Sequence, residues 1–192
     1  MTTETRTETH YISCADSAKL MRKALKAAFP GQKFSVRSDV YSGGASIDVT
    51  WTDGPLHDEV NRIAGQFQGA SFDGMIDMEI GNTHWMNPDG SVDFAYTPGS
   101  EGQRGSCPEV SCAPRHPEAR LVRFASKYVF CNRKYSLEYL DRVARETAKT
   151  FGRIAPEVKD NGFGAYLHGC NDYEFERLIL QAAEGKLVIY GA

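Results

Sequence analysis

No apolar run among these 192 residues approaches the ~20 needed to span a bilayer as a helix, so no membrane span is expected. The opening stretch, Met1 to His10, is polar and has no apolar signal-peptide core. Residues 1–12 are therefore expected to be a disordered, solvated tail, and the protein to be cytoplasmic. Cysteine is scarce and odd in number, five in all, at 14, 107, 112, 131 and 170, whereas an exported disulfide scaffold is smaller and denser in it. Free thiols in a reducing cytosol are the simpler expectation. One bridge stays open, since Cys107 and Cys112 share an apparent loop.

Catalytic signatures are equally thin. His57-Asp58-Glu59 lacks the second histidine of H-E-x-x-H. The glycine-rich stretch Gly162 to Gly169 has neither the lysine–hydroxyl ending of a phosphate loop nor dinucleotide spacing, so it reads as a turn. Cys131 and Cys170 become nucleophiles only beside a histidine and a group that orients it. The nearest thing to a zinc box is Cys107-x4-Cys112-x3-His116. Zinc needs four converging ligands, and here the fourth would have to come from afar, from Cys131 or His168. The expectation is no enzyme, no metal and no cofactor.

What is present is amphipathic periodicity. Ala18, Met21, Leu25 and Ala28 form one stripe of a helix from Ser13, with Ser13 and Asp16 as a capping pair and Phe29-Pro30-Gly31 as its end. Two alternating strands, Phe34–Val40 and Ile47–Trp51, flank Ser42-Gly43-Gly44 as a hairpin. Asp53-Gly54-Pro55 opens a helix with Val60, Ile63, Ala64 and Phe67 inward. Strands are expected at Gly74–Ile80 and Ser91–Thr97, then a long loop at 98–118. Leu121–Cys131 reads as one strand, and Ser136 caps a helix running to Phe151. A turn at Asn161-Gly162 lies between short strands, a helix spans Asp172–Ala183, and Lys186–Tyr190 forms a closing strand. The fold expected is α+β, with two α-β-β-α-like halves, 13–97 and 119–192, whose antiparallel hairpins are covered by helices. The repeated order is open to a reading as duplication or as chance.

Charge is unevenly spread beneath a net value of −3. Residues 48–101 hold ten acids against the single base Arg62, while both flanking stretches are basic. The acids can pair with the flanks inside the fold, or present a face to a basic partner. For the second case the candidate residues are Asp58, Glu59, Asp73, Asp77 and Glu79, the last three in a glycine-marked segment expected at the surface. The opposite reading, a grip on phosphate, falls to Arg120, Arg123, Lys127, Arg133 and Lys134. Tyr128-Val-Phe130-Cys-Asn-Arg133-Lys134-Tyr135 interleaves aromatics with cations, a composition suited to stacking bases and equally to a strand packed on a core.

ADSAKLMRKALKAAFPGQKFSVRSDVYSGGASIDVTWTDGP (15–55), FQGASFDGMID (67–77) and YVFCNRKYS (128–136) resemble the large polyvalent protein-associated domain 29 family. The resemblance implies a protein of phages or conjugative elements, whose large multidomain chains help incoming DNA survive host defences, and it brings no catalytic residues. By analogy with small stand-alone inhibitors of that kind, the function expected is counter-defence. The chain would bind a host CRISPR effector or restriction nuclease and block its nucleic-acid site without catalysis. The alternative is a nucleic-acid-binding module that handles the element's own DNA.

Overall fold

The structure, a computed structural model, describes residues 8–74, 76–97 and 110–187. The fold is α+β, with four helices and twelve strands in small sheets among the described residues. None of these helices is long and apolar enough to cross a membrane. The chain forms two compact units, residues 1–49 with 60–131, and residues 50–59 with 132–192. Of the loop expected at 98–118, residues 110–118 are described. Residues 98–109 lie outside the described ones, and strands on both sides of them belong to the first unit.

In the first unit His10–Ile12, expected in a loose tail, form β1. This strand pairs in parallel with β9 (Arg120–Phe124). Next comes α1 (Cys14–Ala28), where Ser13 Oγ accepts from Asp16 N at 3.2 Å, as the capping pair predicted. Met21 and Leu25 on α1 are fully buried, as are Ile47 and Val49. The hairpin is β2 (Ser35–Tyr41) and β3 (Gly44–Thr52), joined by Ser42-Gly43. It extends into a three-stranded sheet with β10 (Tyr128–Lys134), β2 at the edge. The second helix, α2 (His57–Ala64), starts two residues after Pro55 and runs into a short 3-10 helix, Gly65–Phe67.

The strand expected at Gly74–Ile80 is instead part of a ribbon. Here β4 (Ala70–Asp73) and β5 (Met78–Gly81) pair across a turn in which Asp77 adopts φ 52°. A strand not foreseen, β6 (Thr83–Met86), precedes β7 (Val92–Thr97) and β8 (Val110–Ser111). With β1 and β9 these form a five-stranded sheet in the order β1-β9-β6-β7-β8. The single strand predicted over Leu121–Cys131 is therefore two. It breaks at Ala125–Lys127, where the backbone changes partners: Ala125 N donates to Ile12 O, and Lys127 N to Ala45 O.

The second unit contains α3 (Leu137–Thr150), β11 (Glu157–Asp160), β12 (Ala165–His168) and α4 (Tyr173–Ala183). Helix α3 packs on both strands and on α4, around Leu140, Val143, Ala144, Leu167, Phe175 and Ile179. Ser136 and Asp172 cap the two helices, each accepting from the backbone N–H three residues on. The order helix–strand–strand–helix does occur twice. Lys186 and Leu187 are not in a strand, and the remainder of the closing strand expected at 186–190 lies outside the described residues.

His84 on β6 stands in the aromatic core of the first unit, against Phe94 (5.5 Å) and Phe124 (5.2 Å), and Phe124 lies on Phe67. Its Nδ1 has no partner, and burial pushes the imidazole down from 6.5 to about 4. The folded state refuses a proton that the unfolded chain accepts. Stability is thus complete above the unfolded value and lost as pH falls from 6.5 towards 4, by roughly 3 kcal/mol for the whole shift. Denaturant titrations across that window should show His84→Phe losing less stability than the wild type by that order. Parallel profiles would mean that the ring protonates freely in the fold.

Candidate nucleic-acid interface

Alternation along β10 decides which of its side chains meet solvent. Val129 is buried and Arg133 points inward, whereas Tyr128 and Phe130 share the outer face with ring centroids 6.4 Å apart. Phe130 is half exposed, so packing on a core does not account for it.

Lys127 begins this face. Its N–H donates to Ala45 O at 2.8 Å and its carbonyl accepts from Ala70 N at 3.2 Å, which ties it to the β2–β3 hairpin and to β4. The lysine stem crosses Gly44, where a Cβ would stand 2.6 Å from Lys127 Cδ. Its Nζ reaches Glu79 Oε1 at 2.8 Å, and Tyr128 donates its hydroxyl to Glu79 Oε2 at 3.2 Å. The Glu79 hydrogen bond raises the Lys127 pKa. Burial, then the same carboxylate, raises that of Tyr128. Tyr41, at the end of β2, has its ring beside Gly43, next to the Gly44 that the Lys127 stem crosses. Phe72 faces Glu79 across the ribbon and is half exposed.

The ribbon is held to this strand by Gly69. Its N–H donates to Ser126 O at 2.7 Å, and a Cβ there would lie 2.0 Å from Phe124 O, a distance no side chain tolerates. Ser126 Oγ donates to Phe67 O, and Gln68 Oε1 accepts from Val129 N. Exposed Tyr41, Phe72 and Phe130 and the half-buried Tyr128 thus lie about one lysine, an arrangement that can stack bases and hold a phosphate.

The residues singled out from sequence are dispersed. Of the acids, Asp58 and Glu59 belong to the second unit. Asp58 pairs with Lys186, and its pKa is lowered by the His57 hydrogen bond and then by Lys186; Glu59 accepts from Leu56 N at the start of α2. Asp73, expected at the surface, is 3% exposed, while Asp77 is exposed and Glu79 is engaged by Lys127. Of the bases, Arg120 and Arg123 lie on β9, where Arg123 donates to Thr83 Oγ1. Arg120 lines a cavity of about 550 Å³ with Met86, Asn87, Pro88 and Glu118. Lys134 lies over the Phe163 ring in the second unit. The bland pairing of acids with basic flanks is realised at Glu79–Lys127, Asp93–Arg115 and Asp58–Lys186.

Arg133 is enclosed in the second unit, its side chain 2% exposed. It donates to the carbonyls of Asp53, Gly54 and Ala183, lies 3.5 Å from Glu184 Oε1, and stacks against Tyr135 and Tyr139. Tyr135 also donates to Glu184, and burial followed by that bond raises its pKa. A guanidinium so occupied is not available to phosphate.

Burial pushes the Cys131 thiol up to about 11, which disfavours the nucleophilic thiolate. Cys170 and His168 line one cavity of about 650 Å³ in the second unit, yet the thiol donates to Asp172 O at 3.5 Å. Cys112 is an unbridged, exposed thiol, His116 Nδ1 accepts from Glu118 N, and Cys107 lies outside the described residues. Among the described residues no group of three or more His, Cys, Asp or Glu could hold a metal ion.

Fold and face together define an α+β protein with an aromatic, lysine-centred surface on its first unit. Residues 12–136 match the family described as large polyvalent protein-associated domain 29, and the chain belongs to that family. No curated protein and no solved structure matches it. Membership associates the chain with phages and other mobile elements. The matched stretch contains the whole face from Tyr41 to Phe130 and ends at Ser136, the cap of α3.

Arg133 offers a direct check on its assignment. Arg133→Met should destabilise the protein by about 3 kcal/mol or more, since it removes the cation facing Glu184 and the side-chain donor to the Asp53 and Gly54 carbonyls. Arg133→Lys should also lower the unfolding midpoint, because an ammonium cannot reproduce the fork. If the lysine variant matched the wild type in thermal unfolding, the enclosed role would be wrong.

Proposed function

We propose that this chain acts by binding rather than catalysis in the service of a phage or other mobile element. Its ligand is single-stranded nucleic acid laid across Tyr41, Phe72, Lys127, Tyr128 and Phe130. The observation that carries the reading is three exposed aromatic side chains, Tyr41, Phe72 and Phe130, with the half-buried Tyr128, about one anchored lysine. Large side chains of this kind are normally covered, and a patch left open marks a binding site. A single strand offers unstacked base faces, whereas a duplex buries them, so this surface favours the former.

A second reading keeps the same ribbon but changes the partner. Phe72 and Met78 are each about half exposed beside Asp77 and Glu79. Apolar anchors flanked by carboxylates suit the basic groove in which a CRISPR effector or restriction nuclease holds nucleic acid. The chain would then be a counter-defence inhibitor.

Fluorescence anisotropy with labelled single-stranded and duplex oligonucleotides at low salt separates the two. The nucleic-acid reading expects single strands to bind better than duplex, with affinity falling as salt rises. It expects Phe130→Ala to cost roughly tenfold or more, since a stacked base is worth about 1–3 kcal/mol. No binding to any probe, together with capture of a basic-grooved nuclease that Asp77→Lys abolishes, would put the inhibitor first.

A further inference from the structure

We infer that Lys127 Nζ and the Tyr128 hydroxyl form a subsite for one phosphodiester group, and that the Glu79 carboxylate occupies this subsite in the free protein. The inference rests on the nucleic-acid reading above and specifies how its backbone is held.

The geometry is that of two donors on two oxygens of one anion. Glu79 Oε1 takes Lys127 at 2.8 Å and Oε2 takes Tyr128 at 3.2 Å. The two non-bridging oxygens of a phosphodiester present the same pattern: a pair of acceptors on one atom, sharing a single negative charge. Carboxylate and phosphodiester are therefore competitors for the same donors. Around the donors stand Tyr41, Phe72 and Phe130, so a phosphate held here lies where the strand's neighbouring bases have rings to stack on.

The two sides of the pair are anchored differently. Lys127 is fixed from behind by the backbone bonds to Ala45 and Ala70 and by its stem on Gly44. Glu79 comes from a two-stranded ribbon. Both side chains of the ion pair are about one third exposed, and such pairs are weakly held in water. A phosphate can displace the carboxylate, while an uncharged ligand gains nothing by doing so. Glu79 thus acts as a threshold that a true polyanion crosses and other aromatic-binding ligands do not.

This assigns Glu79 an effect of opposite sign to that of a binding residue. The test compares wild type, Glu79→Gln, Glu79→Ala, Lys127→Gln and the double variant Glu79→Gln/Lys127→Gln. Each is titrated by anisotropy with a labelled oligodeoxythymidylate of about ten nucleotides. Both Glu79 variants should bind roughly twofold to fivefold more tightly than the wild type, the order expected when a weak competing ion pair is removed. Their salt dependence should steepen by about one released counterion. Lys127→Gln should weaken binding, and in the double variant the Glu79 change should have no effect, because its partner is gone. If the wild type binds but neither Glu79 variant binds more tightly, the subsite is wrong while the nucleic-acid reading stands. If neither the wild type nor a Glu79 variant binds, both fall. Capture of a basic-grooved nuclease, weakened by Glu79→Gln, would instead identify the carboxylate as a contact of the inhibitor.

Discussion

The backbone of Gly69 lies against that of Phe124 so closely that no side chain fits between them, and the exposed face of the first unit depends on that approach. Around it the segment Phe67–Ala70 is bonded to Ser126, Lys127 and Val129 by backbone and side-chain hydrogen bonds. Those bonds take backbone groups that a continuous strand would use in its own ladder. The chain therefore parts at Ala125–Lys127, sending β9 to the five-stranded sheet and β10 to the three-stranded one. Lys127 is left at the joint, and the ribbon that carries Phe72 and Glu79 follows directly from Gly69. An added methyl at this position would disturb the core and the face together.

Part of the charge in this protein is neutralised within its own unit. Three acids of the middle stretch find basic partners within their own unit, at Asp93–Arg115 and Glu79–Lys127 in the first and at Asp58–Lys186 in the second. One residue from each of two rival charge readings meets the other at Glu79–Lys127, so neither the acidic nor the basic set stands as a surface by itself. Arg133 shows the same economy, bracing α4, the Asp53–Gly54 turn and two tyrosines in the second unit. The family match covers the aromatic face and stops where α3 begins, which associates the face with the shared part of the chain.

Much of the fold could be read from local pattern. Helices α1, α3 and α4 carry their caps at Ser13, Ser136 and Asp172, and both hairpins carry glycine-marked turns. The elements that could not be read are those defined by distant partners. β1 is three residues, His10-Tyr11-Ile12, too short a run for a periodic signal, and it becomes a strand beside β9. The break inside LVRFASKYVFC leaves the apolar alternation nearly intact, and the groups that mark it, Phe67 O and Gly69 N among them, lie more than fifty positions earlier. The site divides in the same way. Periodicity puts Tyr128 and Phe130 on one face but not on the open face. Tyr41 and Phe72 carried no signal of their own, and Asp73 shows that a run of acids does not reveal which of them is buried.

The central claim is that one surface of the first unit holds single-stranded nucleic acid. Nuclear magnetic resonance with a short single-stranded oligonucleotide tests it residue by residue in the full chain. The account predicts that signals of Tyr41, Phe72, Lys127, Tyr128 and Phe130 shift together along a single saturable curve, while those of α3 and α4 stay in place. Shifts confined to residues 137–187, or a spectrum unchanged at saturating oligonucleotide and low salt, would contradict it.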